Sequence, residues 1–231
     1  MNTILDNFIL RIKYLKEVFR FGFNTQGDTR FAKKIFKKIK KGFYLDCGCY
    51  HPFKGSQTKF LYDKGWKGIC LDISEDTIKL FKIYRPLDLC LNIALFTRSE
   101  KRNAYFEKNI STVTSLDKNF LNKIGREVRF KKQIQTITLK DLRKKYKINE
   151  IDFLKIDCEN IDEQIILSAS YLDLNAKYLS IECLPDLNKQ ILDKDVRKVF
   201  KKSSIYKKLC KKYKIIDSIE YTFLFERIIK S

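Results

Sequence analysis

Two acids two residues apart, Asp157 and Glu159, follow the apolar run Ile151–Ile156 in this 231-residue chain. A carboxylate placed where a buried strand empties into a cleft can take a proton or ligate a metal ion. The single histidine, His51, stands just after another apolar run, Phe43–Cys47, and an imidazole there is unprotonated part of the time at neutral pH. These three are the candidate general bases, in the order Glu159, His51, Asp157. Plainer roles stay open beside them: Asp157 or Asn160 capping a helix, His51 filling a turn before Pro52. No third ligand accompanies the two acids, so no metal site is expected.

The loop after the first apolar run reads Asp46-Cys47-Gly48-Cys49-Tyr50-His51-Pro52. A dinucleotide loop needs several glycines that let the backbone approach a pyrophosphate. Here Gly48 stands alone, Pro52 lacks an N–H that could bind phosphate, and Asp46 brings negative charge to the place a pyrophosphate would occupy. A phosphate-free cofactor with a cationic amino-acid end suits this loop better. S-adenosylmethionine has that constitution: an ammonium, a carboxylate and a sulfonium. Asp72, near the end of the run Gly68–Ile73, follows Asp46 at an offset slightly beyond the ~20 residues at which an acid meets a ribose hydroxyl pair. Charge-assisted bonds to both hydroxyls are strong ones. Asn92 and Ala94 lie where an adenine ring would be bordered. Asp-x-Gly as a plain strand-to-helix turn, and Asp72 as an acid at a helix N-terminus, are the alternatives.

Alternating elements must hold these residues. Phe43–Cys47, Gly68–Ile73, Leu89–Leu95, Ile151–Ile156 and Tyr178–Cys183 read as buried strands. Helical stretches at Ser56–Lys64, Thr77–Tyr84, Leu139–Lys147, Asp162–Ala169, Asp186–Phe200 and Ser204–Tyr213 separate or follow them. Lys214–Ile219 and Tyr221–Ile228 are joined so tightly that they must run antiparallel. An inserted hairpin is expected within about residues 98–138, from Asn103–Glu107 and Arg129–Thr138. Two helices, over residues 1–23 and from Thr29 to Gly42, form an N-terminal extension (1–42) ahead of the domain at 43–231. The result is an α/β fold with a mostly parallel sheet covered on both faces, whose ligands sit at the carboxyl ends of the strands.

Composition narrows the partners. Lys+Arg number 48 against 28 Asp+Glu, a net charge of +20. The lysines run along the whole chain, with concentrations at Lys33–Lys41 and Arg197–Lys214 that read as basic faces of amphipathic helices. RNA binding would need aromatic rings interleaved with those clusters; Phe200, Tyr206 and Tyr213 are candidates, but their helical spacing suits a core, and nucleic acid is disfavoured. No apolar run approaches the ~20 residues of a membrane span, and Asp6, Arg11 and Lys13 break up the apolar start, so no secretory signal is expected. Seven cysteines, most inside apolar runs, read as structural thiols in a reducing cytoplasm.

The segments Y-L-D-C-G-C-Y-H-P-F-K-G-S, K-G-W-K-G-I-C-L-D, R-P-L-D-L-C-L-N-I-A-L and I-D-F-L-K-I-D-C-E-N, with T-L-K-D-L before the fourth strand, together resemble the FkbM-type family of S-adenosylmethionine-dependent methyltransferases. The resemblance covers about residues 43–184. It implies a Rossmann-like class I methyltransferase fold of seven strands with the last antiparallel. It further implies that Asp46 and Gly48 line the methionine end of the cofactor and that Asp72 binds its ribose; Cys49, Ser56 and Ile73 complete the expected cofactor-binding set. Members commonly methylate oxygen on sugars of natural products, lipids or surface polysaccharides, which implies a sugar or nucleotide-sugar substrate; a homo-oligomer is allowed. Where the family usually has Val-Glu-Gly after the fourth-strand aspartate, this chain has Cys158-Glu159-Asn160, and the usual small residue after the glycine is Cys49. A nucleotide-sugar oxidoreductase and an RNA-methylating protein are the competing readings.

Overall fold

The computed structural model describes residues 29–183 and 193–229, together with 9, 11 and 12. The expected helix over 1–23 and the start of the one at Asp186–Phe200 therefore fall almost wholly outside the described residues.

Ten strands and eight helices alternate among the described residues: α1 (Thr29–Phe36), β1 (Phe43–Cys47), α2 (Lys59–Asp63), β2 (Lys67–Leu71), α3 (Glu75–Tyr84), β3 (Leu89–Leu91), β4 (Ala94–Leu95), β5 (Lys101–Phe106), α4 (Lys118–Lys123), β6 (Phe130–Ile137), α5 (Leu139–Lys145), β7 (Ile151–Ile156), α6 (Asp162–Ser168), β8 (Ala176–Glu182), α7 (Asp193–Phe200), α8 (Ser204–Leu209), β9 (Tyr213–Ile219) and β10 (Thr222–Arg227). Local chemistry sets several boundaries. Ser74 caps α3 by accepting from Thr77 N, with Glu75 and Asp76 in the first turn, and the helix stops ahead of Pro86. Thr138 and Ser203 cap α5 and α8 in the same way.

Seven strands form one sheet in the order β3-β2-β1-β7-β8-β10-β9. β10 alone runs against its neighbours, pairing antiparallel with both β8 and β9, while the other pairings are parallel. The strand order reverses direction between β1 and β7, the switch point where a doubly wound sheet opens a crevice. The period of two divides the core. Leu45, Cys47, Leu154, Ile156 and Ile181 face one side, against Leu142, Ile165, Phe200 and Leu209 of the helices. Tyr44, Cys70, Phe153 and Leu224 face the other, against Phe36, Leu61 and Phe81. Phe36 sits edge-on to Trp66, Phe153 and Tyr178, with ring centroids 5.0–5.5 Å apart.

The third strand differs from expectation. Leu89–Leu95 is broken at Asn92 and Ile93: β3 stays in the main sheet, while β4 leaves it to pair in parallel with β6. The inserted hairpin is present as β5 and β6, and with β4 it makes a second, three-stranded sheet. One continuous apolar run thus serves two sheets, a division that hydrophobicity alone does not mark.

Candidate active site

A polar row crosses the middle of the main sheet on one face. The register places Cys70, Asp46, Lys155 and Ser180 side by side on β2, β1, β7 and β8. All four are buried, so the charges among them need partners. Lys155 Nζ donates to Gly48 O at 2.8 Å and pairs with Asp157 Oδ2 at 3.1 Å and Asp46 Oδ1 at 3.5 Å. Burial works against its charge, but Asp157 and Asp46 outweigh that and hold its pKa well above the ordinary value. Asp46 Oδ2 accepts from Thr58 Oγ1 at 2.5 Å, whereas Asp46 Oδ1, equally buried, accepts no hydrogen bond.

Beyond β1 the chain turns at Gly48 with φ 77°. A Cβ there would come within 1.7 Å of Asp157 O; only glycine lets the β1 and β7 ends approach so closely. Gly48 N and Cys49 N both donate to Leu71 O at 3.0 Å, and Tyr50 N donates to Asp72 Oδ2 at 2.8 Å. Asp72 Oδ1 accepts from Ser74 N at 2.8 Å. Burial raises the Asp72 pKa to about 6 against the opposing effect of these two N–H donors. Each of its oxygens keeps a second lone pair.

At the ends of β7 and β8, oxygens of Asp157, Glu159 and Glu182 lie within 4.8 Å of one another. Such crowding holds protons. Burial first, then Asp157 and Glu182, push Glu159 up to about 10; burial, then Asp157 and Asp162, push Glu182 up to about 9. Asp162, which accepts from Cys158 N at 2.8 Å, rises to about 7 through burial and Asp157.

Asp46, Gly48, Asp72, Lys155, Asp157, Glu159 and Glu182 border one cavity of about 310 Å³, walled also by Cys49, Ser56, Ile73, Ala94 and Lys54. Its remaining side comes from the insertion, where Ser111, Thr112, Thr114 and Ser115 present a run of hydroxyls. Ser74 Oγ donates to Asn109 O, Ser115 Oγ to Glu159 O and Asn160 Nδ2 to Asp117 Oδ2, tying that loop to the strand ends.

Of the residues singled out from sequence, Asp46, Gly48, Cys49, Ser56, Asp72, Ile73, Ala94, Asp157 and Glu159 meet at this cavity. Two do not. Asn92 Nδ2 donates to Asp72 O at 3.0 Å, a brace on the strand end. His51 Nδ1 accepts from Phe53 N and Lys54 N at 3.2 and 3.1 Å, so it shapes the turn. Burial, and secondarily Lys54, lower its pKa to about 4. Lys155, Glu182 and the 111–115 hydroxyls escaped the sequence reading. A lysine inside a buried strand, an acid closing the fifth parallel strand, and the run Ser111-Thr112-Val113-Thr114-Ser115 were the signals.

The donor set fits a zwitterionic adenosyl ligand. Asp46, paired with Lys155 through Oδ1, brings a carboxylate to the cavity wall as a counter-charge for an ammonium. The model of the FkbM methyltransferase domain matches residues 46–200. Similar solved structures include a protein described as a type 11 methyltransferase from Sulfolobus solfataricus (14% identity, 90% of this chain and 95% of that one, TM-score 0.43). Another is a TehB-like SAM-dependent methyltransferase from Corynebacterium glutamicum (10% identity, 96% and 97% covered, TM-score 0.44). No curated protein matches the chain.

Proposed function

Because the chain belongs to the FkbM methyltransferase family, we propose that this S-adenosylmethionine-dependent methyltransferase delivers its methyl group to a hydroxyl oxygen of a sugar or sugar-containing precursor. The observation that carries the acceptor assignment is the meeting of a proton-holding acid cluster with a hydroxyl-lined wall: Asp157, Glu159 and Glu182 border the same cavity as Ser111, Thr112, Thr114 and Ser115. A polyhydroxylated acceptor finds donors and acceptors on that wall, and a place for its proton on the cluster.

Asp46 accepts from the ammonium of the cofactor, and Asp72 accepts from the ribose hydroxyls through its free lone pairs. Cys49, Ser56, Ile73 and Ala94 line the same ligand. The bound cofactor supplies an electrophilic methyl on a sulfonium. The chain's own work is to align the acceptor, which can lower a barrier by roughly 7–11 kcal/mol, and to remove the hydroxyl proton, worth ~10²–10⁴-fold. Glu159 is the base in this proposal, with Asp157 and Glu182 beside it; with its pKa at about 10 it takes the hydroxyl proton through its ionised fraction, which grows as pH rises toward that value. His51 keeps the turn. Lys155 holds Asp46 and Asp157 at a fixed separation.

The RNA alternative loses support because Phe200 and Tyr213 are buried and Tyr206 packs on Phe200, so the three rings interleaved with Arg197–Lys214 are spent on packing. No helix among the described residues is long and apolar enough to cross a membrane. A cytoplasmic location belongs to the same proposal and is supported by seven free thiols. The test is methyl transfer from labelled S-adenosylmethionine to a panel of sugars, nucleotide sugars, phenols and RNA. Label in an alkali-stable sugar ether is expected; label confined to phenols or RNA overturns the acceptor class.

A further inference from the structure

Behind the cofactor-side wall lies a charged group that the reaction does not touch. Arg85, at the end of α3, has no exposed surface, and neither has the side chain of its partner Asp88. Buried ion pairs seldom add net stability over an apolar filling, which turns attention to where the remaining donors point. Nε donates to Asp88 Oδ2 at 2.8 Å, Nη1 to Ser56 Oγ at 3.2 Å, and Nη2 to Tyr44 OH at 2.7 Å and Thr58 Oγ1 at 3.0 Å. The rings of Phe81, Tyr62 and Tyr44 surround the guanidinium at 4.7–5.5 Å. Tyr44 OH in turn donates to Asp88, at 2.6 and 2.7 Å from its two oxygens, and Gly68 N anchors the same carboxylate at 3.0 Å.

A guanidinium can only donate. Each hydroxyl that accepts from it must send its own proton elsewhere. Thr58 Oγ1 accepts from Arg85, and its proton goes to Asp46 Oδ2 at 2.5 Å. The Asp46 carboxylate is thereby held in place through Oδ2, while Oδ1 faces Lys155 Nζ at 3.5 Å. Ser56 Oγ accepts from both Arg85 Nη1 and Lys59 N, at 3.2 and 3.1 Å. Both its lone pairs are taken, and, with the Thr58 proton committed to Asp46, Ser56 is the donor in the long 3.4 Å bond to Thr58 Oγ1. Ser56 lines the cavity, and that long bond is one its hydroxyl can exchange for a stronger acceptor on a ligand.

We propose that Arg85 is a positioning residue that orients the cofactor's amino-acid site, turning Ser56 into a donor for the carboxylate and, through Thr58, fixing the Asp46 carboxylate that receives the ammonium. It never contacts the ligand; two hydroxyls relay its orientation. The inference rests on the placement of the methionine end at Asp46 and adds to it the means by which that end is read.

Two ligands separate this role from simple structural support. S-adenosylhomocysteine carries the amino-acid end, and 5′-methylthioadenosine lacks it. By calorimetric titration of the full chain, Arg85→Met and Thr58→Val are each expected to weaken S-adenosylhomocysteine by about tenfold or more, the cost of a lost hydrogen bond to a charged group. Binding of 5′-methylthioadenosine should stay within about twofold of the parent. Arg85→Lys, which cannot serve both hydroxyls, should fall between. Thr58→Val and Ser56→Ala carry the comparison if Arg85→Met does not fold. Equal weakening of both ligands, or no weakening of either, overturns the proposal. Asp46→Asn serves as the control for the placement itself: if it fails to discriminate the two ligands, the methionine end is not at Asp46, whereas discrimination by Asp46→Asn without discrimination by Thr58→Val and Arg85→Lys sinks only the relay.

Discussion

At Glu159 and Asn160 the chain turns left-handed, with φ 54° and 72°. Asparagine tolerates that region better than most residues, so Asn160 can stand where the resembled family usually has glycine, and its side chain adds a tie to Asp117. The turn aims Glu159 at Asp157 and Glu182. Replacing Glu159 by Gln keeps the shape and removes the base; turnover should drop by ~10²–10⁴-fold in a steady-state assay while cofactor affinity holds. At Asp72, substitution by Ala should weaken S-adenosylhomocysteine at least about tenfold in calorimetric titration, with the protein still folded; unchanged affinity would remove the ribose role. Sequence made Asp46, Asp72, Asp157 and Glu159 visible because acids are conspicuous at the ends of apolar runs. His51 misled for the same reason: its place after a strand is legible, whereas the direction of its ring, set by two backbone N–H groups, is not.

Elements set how close those residues can come. β1 and β7 touch through Gly48, where an added methyl would collide with a backbone oxygen in a left-handed turn. Gly48→Ala should therefore cost about 2–3 kcal/mol or more in urea unfolding and depress cofactor binding with it. A variant as stable as the parent would mean that the two loops are free to separate. The alternation of strands and helices was readable from period changes at Gly42, Gly65 and Pro86. The split of Leu89–Leu95 between two sheets was not, since Cys90, Ala94 and Leu95 are all buried and differ only in which neighbours cover them. The role of the insertion was also hidden. The segment reaches the site through Ser74 Oγ donating to Asn109 O and Ser115 Oγ donating to Glu159 O, contacts between segments far apart in the chain.

For the molecule as a whole, the titrating groups work in opposite directions. Folded His51 holds its proton less tightly than an unfolded histidine, with a pKa of about 4 against 6.5. The native state thus binds fewer protons across that window, and stability falls as pH drops through it. Asp72, Asp162, Glu182 and Glu159 are displaced upward, to about 6, 7, 9 and 10. Folded, they retain protons that the unfolded chain has released, so their contribution declines as pH rises from about 4 toward 10. Thermal unfolding of the ligand-free protein should accordingly be latest in mildly acidic buffer and come earlier on either side. Glu159→Gln should flatten the alkaline decline, raising Tm at pH 9 by about 2–4 °C for each kcal/mol relieved; an unaltered slope would show that Glu159 is ionised without penalty. The net charge of +20 and the basic face were plain in composition, but not that its aromatic residues turn inward.

The three-ring seat of Phe36 has a practical corollary for anyone trimming this protein to its catalytic unit. A version starting at Phe43 looks reasonable on paper, since the first strand begins there. It would nevertheless leave Trp66, Phe153 and Tyr178 around a vacant phenyl-sized hole, a loss of the order of 3–5 kcal/mol. The shortest well-behaved version should thus begin upstream of α1.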